Sequence, residues 1–232
     1  MFLKNLTISS ETYGIIREID FTAGLNLIID ETERNQSNTS GNSVGKTTLL
    51  KLIDFCLGAE ARKIYQDAEN RKNISEDTKN FLEDETRRVL VTLILCDDIN
   101  DLRSRQVVIE RNFLKGALNI CRINGNQIKL KDFEDALSDF VLGKTFKSPT
   151  FRQLIAHNIR YTNERIEICT KFLNAYSKNS EYEALFLYMF LGDKIKNAYD
   201  PQEKQYYEEA LKEEGKYREK LLAGVNCICR TH

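Results

Sequence analysis

The sequence predicts an α/β fold with an antiparallel β meander and a helical C-terminal part, and three observations carry that expectation. A short apolar run, "GLNLIID" (24–30), is followed by a polar, glycine-bearing stretch and then by apolar residues at helical spacing. Three β-rich runs between 87 and 125 follow one another across short polar turns. Beyond 130 the apolar positions return to a helical period.

Taken in order, "FLKNLTI" (2–8) and "GIIREIDF" (14–21) read as two strands, with the polar "SSETY" supplying the turn. The run 24–30 begins after glycine and suits a central strand buried on both faces. Residues 31–43 have no periodicity and read as loop. From Lys46, Leu49, Leu50, Ile53 and Leu57 fall on one helical face, and Gly58 stops the helix. The charged stretch 59–86 reads as an exposed helix or loop. "RRVLVTLIL" (87–95), "RQVVIERNF" (105–113) and "ALNICRING" (117–125) are the strands of the meander. "LKDFEDALSDFVLG" (130–143) is a helix through Phe133, Leu137, Phe140 and Val141. Pro149 punctuates the chain before two further helices, "FRQLIAHNIR" and the strongly apolar "EYEALFLYMFLGD". After Pro201, Tyr207, Ala210, Tyr217 and Leu221 keep a 3-4 spacing broken only by Glu214, which fits either the start of a coiled coil or one amphipathic helix. The expected organisation is 1–145, a helical part 146–200, and an arm with a frayed tail 201–232.

At 232 residues, 41% hydrophobic and 30% charged, the chain can bury a core without staples. A net charge of -1 exerts no global pull toward nucleic acid or acidic membranes. The most apolar segment, "ALFLYMFL" (184–191), is too short to span a bilayer, and the N-terminus has no secretory pattern. The six cysteines, Cys56, Cys96, Cys121, Cys169, Cys227 and Cys229, are therefore expected as reduced thiols of a cytoplasmic protein.

The stretch "SGNSVGKTT" (40–48) carries the chemistry. It matches the phosphate-loop pattern G-x-x-x-x-G-K-[ST] at Gly45, Lys46 and Thr47, with Ser40 in place of the leading glycine. Such a loop works through backbone amides that turn inward around an anion, at the positive end of the following helix. Gly41, Asn42, Ser43, Val44 and Gly45 are the residues for that nest. Lys46 would reach the β and γ oxygens, Thr47 would join Mg²⁺, and Thr48 would donate toward the α-phosphate. Ser40 adds a side chain where the chain turns sharply; Gly41 one residue later lets the loop absorb it, so reshaped or weakened binding is expected rather than loss. Hydrolysis needs a further carboxylate after an apolar strand, and Asp97 or Asp98, closing "LVTLILCDD", could fill that role in a self-contained enzyme. Two more β-rich runs directly after them speak for a meander instead of a βαβ wind.

With "IDFTAGLNLIID", "GNSVGKTTLLKLIDFCLG", "VVIERNF" with "CRINGNQI", and "SPTFRQLIAHNIR" quoted together, the chain resembles the N-terminal half of an SMC-like ABC ATPase head. More narrowly it resembles a bacterial SMC-like family associated with ABC three-component systems; the similarity runs to about residue 222. The resemblance implies ATP and Mg²⁺ as cofactors, with a C-terminal lobe beyond a coiled coil supplying the Mg²⁺ carboxylate, catalytic glutamate and signature motif. It implies a second head as partner, assembled action on DNA in repair or phage defence, and Gln153 as a further Mg²⁺ contact. No matching C-terminal lobe follows in this sequence, so little or no turnover by this polypeptide alone is expected. A non-catalytic interaction module with a vestigial loop is the other alternative.

Cys227, Cys229 and His232 are three metal-capable residues without a fourth partner, which fits a frayed end better than a closed site. His157 lies on an expected helix with no nucleophile nearby in sequence, which fits a surface or satisfied interior histidine.

Overall fold

A computed structural model describes residues 1–29, 46–67, 72–143, 145, 149–161, 173, 176–191, 212, 213 and 216. Two compact units emerge: 1–146 with 150–175, and 147–149 with 176–232. The first holds strands β1 (Phe2–Ser10), β2 (Gly14–Asp20), β3 (Leu90–Cys96), β4 (Gln106–Asn112), β5 (Cys121–Ile123) and β6 (Asn126–Gln127). Its helices are α1 (Lys46–Cys56), α2 (Arg62–Tyr65), α3 (Glu76–Leu82), α4 (Phe133–Leu142) and α5 (Phe151–Asn158). The second unit contributes α6 (Asn179–Leu191), on which the rings of Tyr182 and Phe186 stack one turn apart. The chain is thus mixed α/β, and α5 packs with the sheet unit although the sequence placed it past a boundary at 145/146.

The six strands form one sheet in the order β2-β1-β3-β4-β5-β6, every pair antiparallel. Alternation sets the register. Val91, Leu93 and Leu95 of β3 and Val107, Ile109 and Arg111 of β4 are buried, while Leu90, Thr92, Ile94, Val108 and Glu110 between them are half-buried. Leu6, Leu93, Ile109 and Ile123 stand opposite one another across four strands, all fully buried, each contributing ~1.5–3 kcal/mol by burial. Leu49, Leu52, Ile53, Phe55 and Cys56 of α1 join the same cluster. The hairpin tip after β1 is tied to the segment before β3: Ser10 Oγ donates to the Arg87 carbonyl at 2.6 Å, Thr12 Oγ1 to the Thr86 carbonyl at 3.0 Å, and Arg88 pairs with Glu11 at 3.1 Å.

Three expectations need correction. Residues 24–29 form no strand, and Leu25, Leu27, Ile28 and Ile29 are exposed, Leu25 at 82%. The run lacks a neighbouring strand among the described residues, and Asn26 bends its start: its Oδ1 accepts from the Thr22 amide and its Nδ2 donates to the Thr22 carbonyl, both at 2.9 Å. An Asn side chain that satisfies nearby backbone competes with a strand ladder. The charged stretch 59–86 is not wholly exposed, because Ala59, Ile64 and Leu82 are buried. The third β run is only partly strand: Cys121–Ile123 pairs as β5, and before it the Asn112 amide donates to the Ile120 carbonyl at 3.1 Å while the Asn112 side chain adds to this, its Oδ1 accepting from the Ile120 amide and its Nδ2 donating to the Leu118 carbonyl, both at 2.7 Å.

Candidate functional site

The candidate site begins where α1 begins. Lys46, Thr47 and Thr48 are its first three residues, Thr47 exposed and the other two half-buried. The first turn has no acidic residue to compensate the positive end of the helix dipole, and the first four amides of any helix lack intrahelical partners. A lysine and a hydroxyl at that end suit the chemistry of a phosphate with its Mg²⁺. Ser40, Gly41, Asn42, Ser43, Val44 and Gly45 lie outside the described residues.

The other end of α1 is built in more detail. Gly58, at φ +97°, lets the chain reverse: its amide reaches the Phe55 carbonyl at 3.0 Å, and the Ala59 amide reaches the Asp54 carbonyl at 2.9 Å. These two bonds make a Schellman closure. Arg111 of β4 donates through Nη1 to the carbonyls of Phe55 and, at 3.0 Å, Ala59. Its guanidinium lies over the rings of Phe55, at 4.0 Å, and Phe133, at 5.0 Å. Arg152 of α5 donates through Nη1 to the Leu57 carbonyl at 2.8 Å and through Nη2 to Asp54 Oδ1 at 2.7 Å, while the Tyr161 hydroxyl donates to Asp54 Oδ2 at 3.0 Å. Lys51, also buried, donates to the Gln66 carbonyl at 2.7 Å.

Electrostatics at this end follow burial. Burial lowers the pKa of Arg111, with Arg152 adding to the effect against the nearby Cys121 and Cys56. Burial pushes the Cys56 thiol up to about 12 despite the opposing pull of Arg111, and Cys121 is raised for the same reason. Burial also lowers Lys51, with Asp67 acting in the opposite sense. Thiols so shifted are protonated and inert, a packing role rather than a reactive one.

The remaining sequence candidates do not gather with these. Asp97 and Asp98 are exposed in the β3–β4 hairpin, where Asp98 Oδ1 accepts from the Asn100 amide at 2.9 Å and the Asp98 carbonyl accepts from Ser104 Oγ at 2.7 Å. They shape a turn between antiparallel strands. Gln153 closes a capping box on α5, its Oε1 accepting from the Thr150 amide at 2.8 Å and its own amide donating to Thr150 Oγ1 at 3.3 Å. His157 is half-buried near the end of α5, and burial, then Arg160, lowers its pKa. Cys169, Cys227, Cys229 and His232 lie outside the described residues, as do Tyr207, Ala210, Glu214, Tyr217 and Leu221. Among the described residues no cluster of three His, Cys, Asp or Glu could hold a metal ion, and no helix is long and apolar enough to cross a membrane.

Asp54, Arg111, Arg152 and Tyr161 were not singled out in the sequence. Asp54 inside the apolar "LIDFCLG" was the available signal, since a carboxylate there has to find a cation once buried. No family model matches the chain, and no curated protein matches it.

Proposed function

We propose that the chain binds Mg²⁺-ATP as the N-terminal half of an SMC-like ABC ATPase head. In this reading Gly41 to Gly45 cradle the phosphates, Lys46 and Thr48 contact them, and Thr47 joins the metal. The observation that carries it is that Lys46 and Thr47 open an 11-residue helix directly after "GNSVG", with no acidic side chain in its first turn. A second observation supports a completing lobe: Leu25, Leu27, Ile28 and Ile29 are exposed and form an apolar surface that strands of such a lobe would cover. That lobe would bring the Mg²⁺ carboxylate and catalytic glutamate, and a second head would complete the site, in DNA-linked repair or defence. Hydrolysis by this polypeptide alone is then close to zero, because Asp97 and Asp98 are turn residues of a hairpin.

Calorimetric titration of Mg²⁺-ATP into the protein and its Lys46→Ala form tests the reading. Saturable binding, weakened at least ~10-fold by the substitution, is the expected result. Equally absent binding in both would remove it in favour of an interaction module.

A further inference from the structure

We infer that Arg111, Arg152 and Asp54 are positioning residues for α1: guanidinium groups from two other elements seat on its C-terminal carbonyls and fix the helix whose first residues are Lys46 and Thr47. Its functional side rests on the nucleotide reading above; its structural side concerns the protein without nucleotide.

α1 has no basic residue in its own last turn, so the partial negative charge of that end is met from outside. Asp54, an anion in the same last turn, would oppose the dipole if left unpaired. Both of its oxygens are engaged, by Arg152 and by Tyr161. The two terminal nitrogens of Arg152 go to different partners on α1 and just beyond it, the Asp54 carboxylate and the Leu57 carbonyl, so its planar fork has one orientation relative to the helix. Its backbone amide is held in turn by Glu134 Oε1 at 3.0 Å, which ties α4 into the same junction. Gly58 leaves room for the arginine stem: a Cβ there would meet Arg152 Cδ at 3.1 Å. Arg111 lies over the rings of Phe55 and Phe133 and reaches one carbonyl within α1, that of Phe55, and one just past its end, that of Ala59.

Buried ion pairs contribute little net stability relative to apolar side chains of similar shape, whereas their geometry is specific. Removing one partner leaves the other buried and unpaired, so the test keeps a cation beside Asp54 and changes only the geometry that aims α1. An 11-residue helix is a rod of ~16 Å, so a tilt at the anchored end carries through to the lysine and threonine at the other.

The test combines amide hydrogen exchange on the nucleotide-free protein with Mg²⁺-ATP titration, for wild type, Arg152→Lys and Tyr161→Phe. Arg152→Lys keeps the charge beside Asp54 and loses the fork. It is expected to speed exchange of amides 50–57 by about tenfold with β3 and β4 unchanged, and to weaken Mg²⁺-ATP binding by a similar factor. Tyr161→Phe removes one hydrogen bond and is expected to give the same pattern at about two- to fivefold. Unchanged exchange in 50–57, or equal acceleration in β3 and β4, would overturn the anchor. A loosened α1 with unchanged nucleotide affinity would overturn the positioning role. If wild type binds no Mg²⁺-ATP, the nucleotide reading falls and the positioning role with it, while the exchange data still judge the anchor.

Discussion

On the C-terminal side of the glycine-bearing stretch, Phe55 of α1 is 1% exposed; on its N-terminal side, Leu25 is 82% exposed. Both segments are apolar, and they differ in where partners come from. A helix satisfies its own backbone and needs only a packing face, which the meander supplies. A strand needs a neighbour for every amide and carbonyl. Here the sheet ends at β2, and among the described residues the chain after it bends at Asn26 without adding a further strand to that edge. Apolar content alone therefore does not decide burial.

The sharpest way to break this contrast is on the buried side. Phe55 stacks on Phe113 at 4.7 Å and lies under Arg111, so Phe55→Ala is expected to cost about 3–5 kcal/mol, read from the urea midpoint. Next comes Gly58→Ala, which places a Cβ at φ +97° and against Arg152. A loss of about 1–3 kcal/mol by the same measurement is expected.

A smaller effect follows from His157. Its pKa lies below the ordinary 6.5 in the folded chain, so the unfolded chain takes up the proton first. Stability is therefore unaffected well above pH 6.5 and falls as pH drops through that value toward the folded pKa. Melting temperatures across this window should fall less in His157→Gln than in wild type. Smallest of all, Leu25→Ser and Leu27→Ser are expected to stay within about 0.5 kcal/mol in this chain, because neither side chain is buried. A large loss there would mean that the apolar run already has a packing partner.

Much of the fold was legible because it rests on local pattern. The first two strands, α1 and its stop at Gly58, the β3–β4 pair and α4 all follow from periodicity and one glycine. Asn124-Gly125, both at positive φ, turns the chain between β5 and β6, a hairpin signal that lies inside the run 117–125 expected as strand. At the lysine end, spacing placed Lys46 and Thr47 at the start of a helix, and α1 begins there, while residues 40–45 lie outside the described residues. The anchored end was not legible: Asp54 and Arg152 are 98 residues apart, and nothing in local spacing says that a buried carboxylate and a distant arginine will meet. Ile64 and Leu82 were hidden in the same way by the charges around them.

Cys56, Cys96 and Cys121 are free and sealed inside the sheet unit. In a variant keeping only these three, a maleimide can couple to them only when the interior breathes open. The protein thus contains its own stopwatch, Cys56 and Cys121 timing the departure of α1 and β5, and Cys96 the far end of β3.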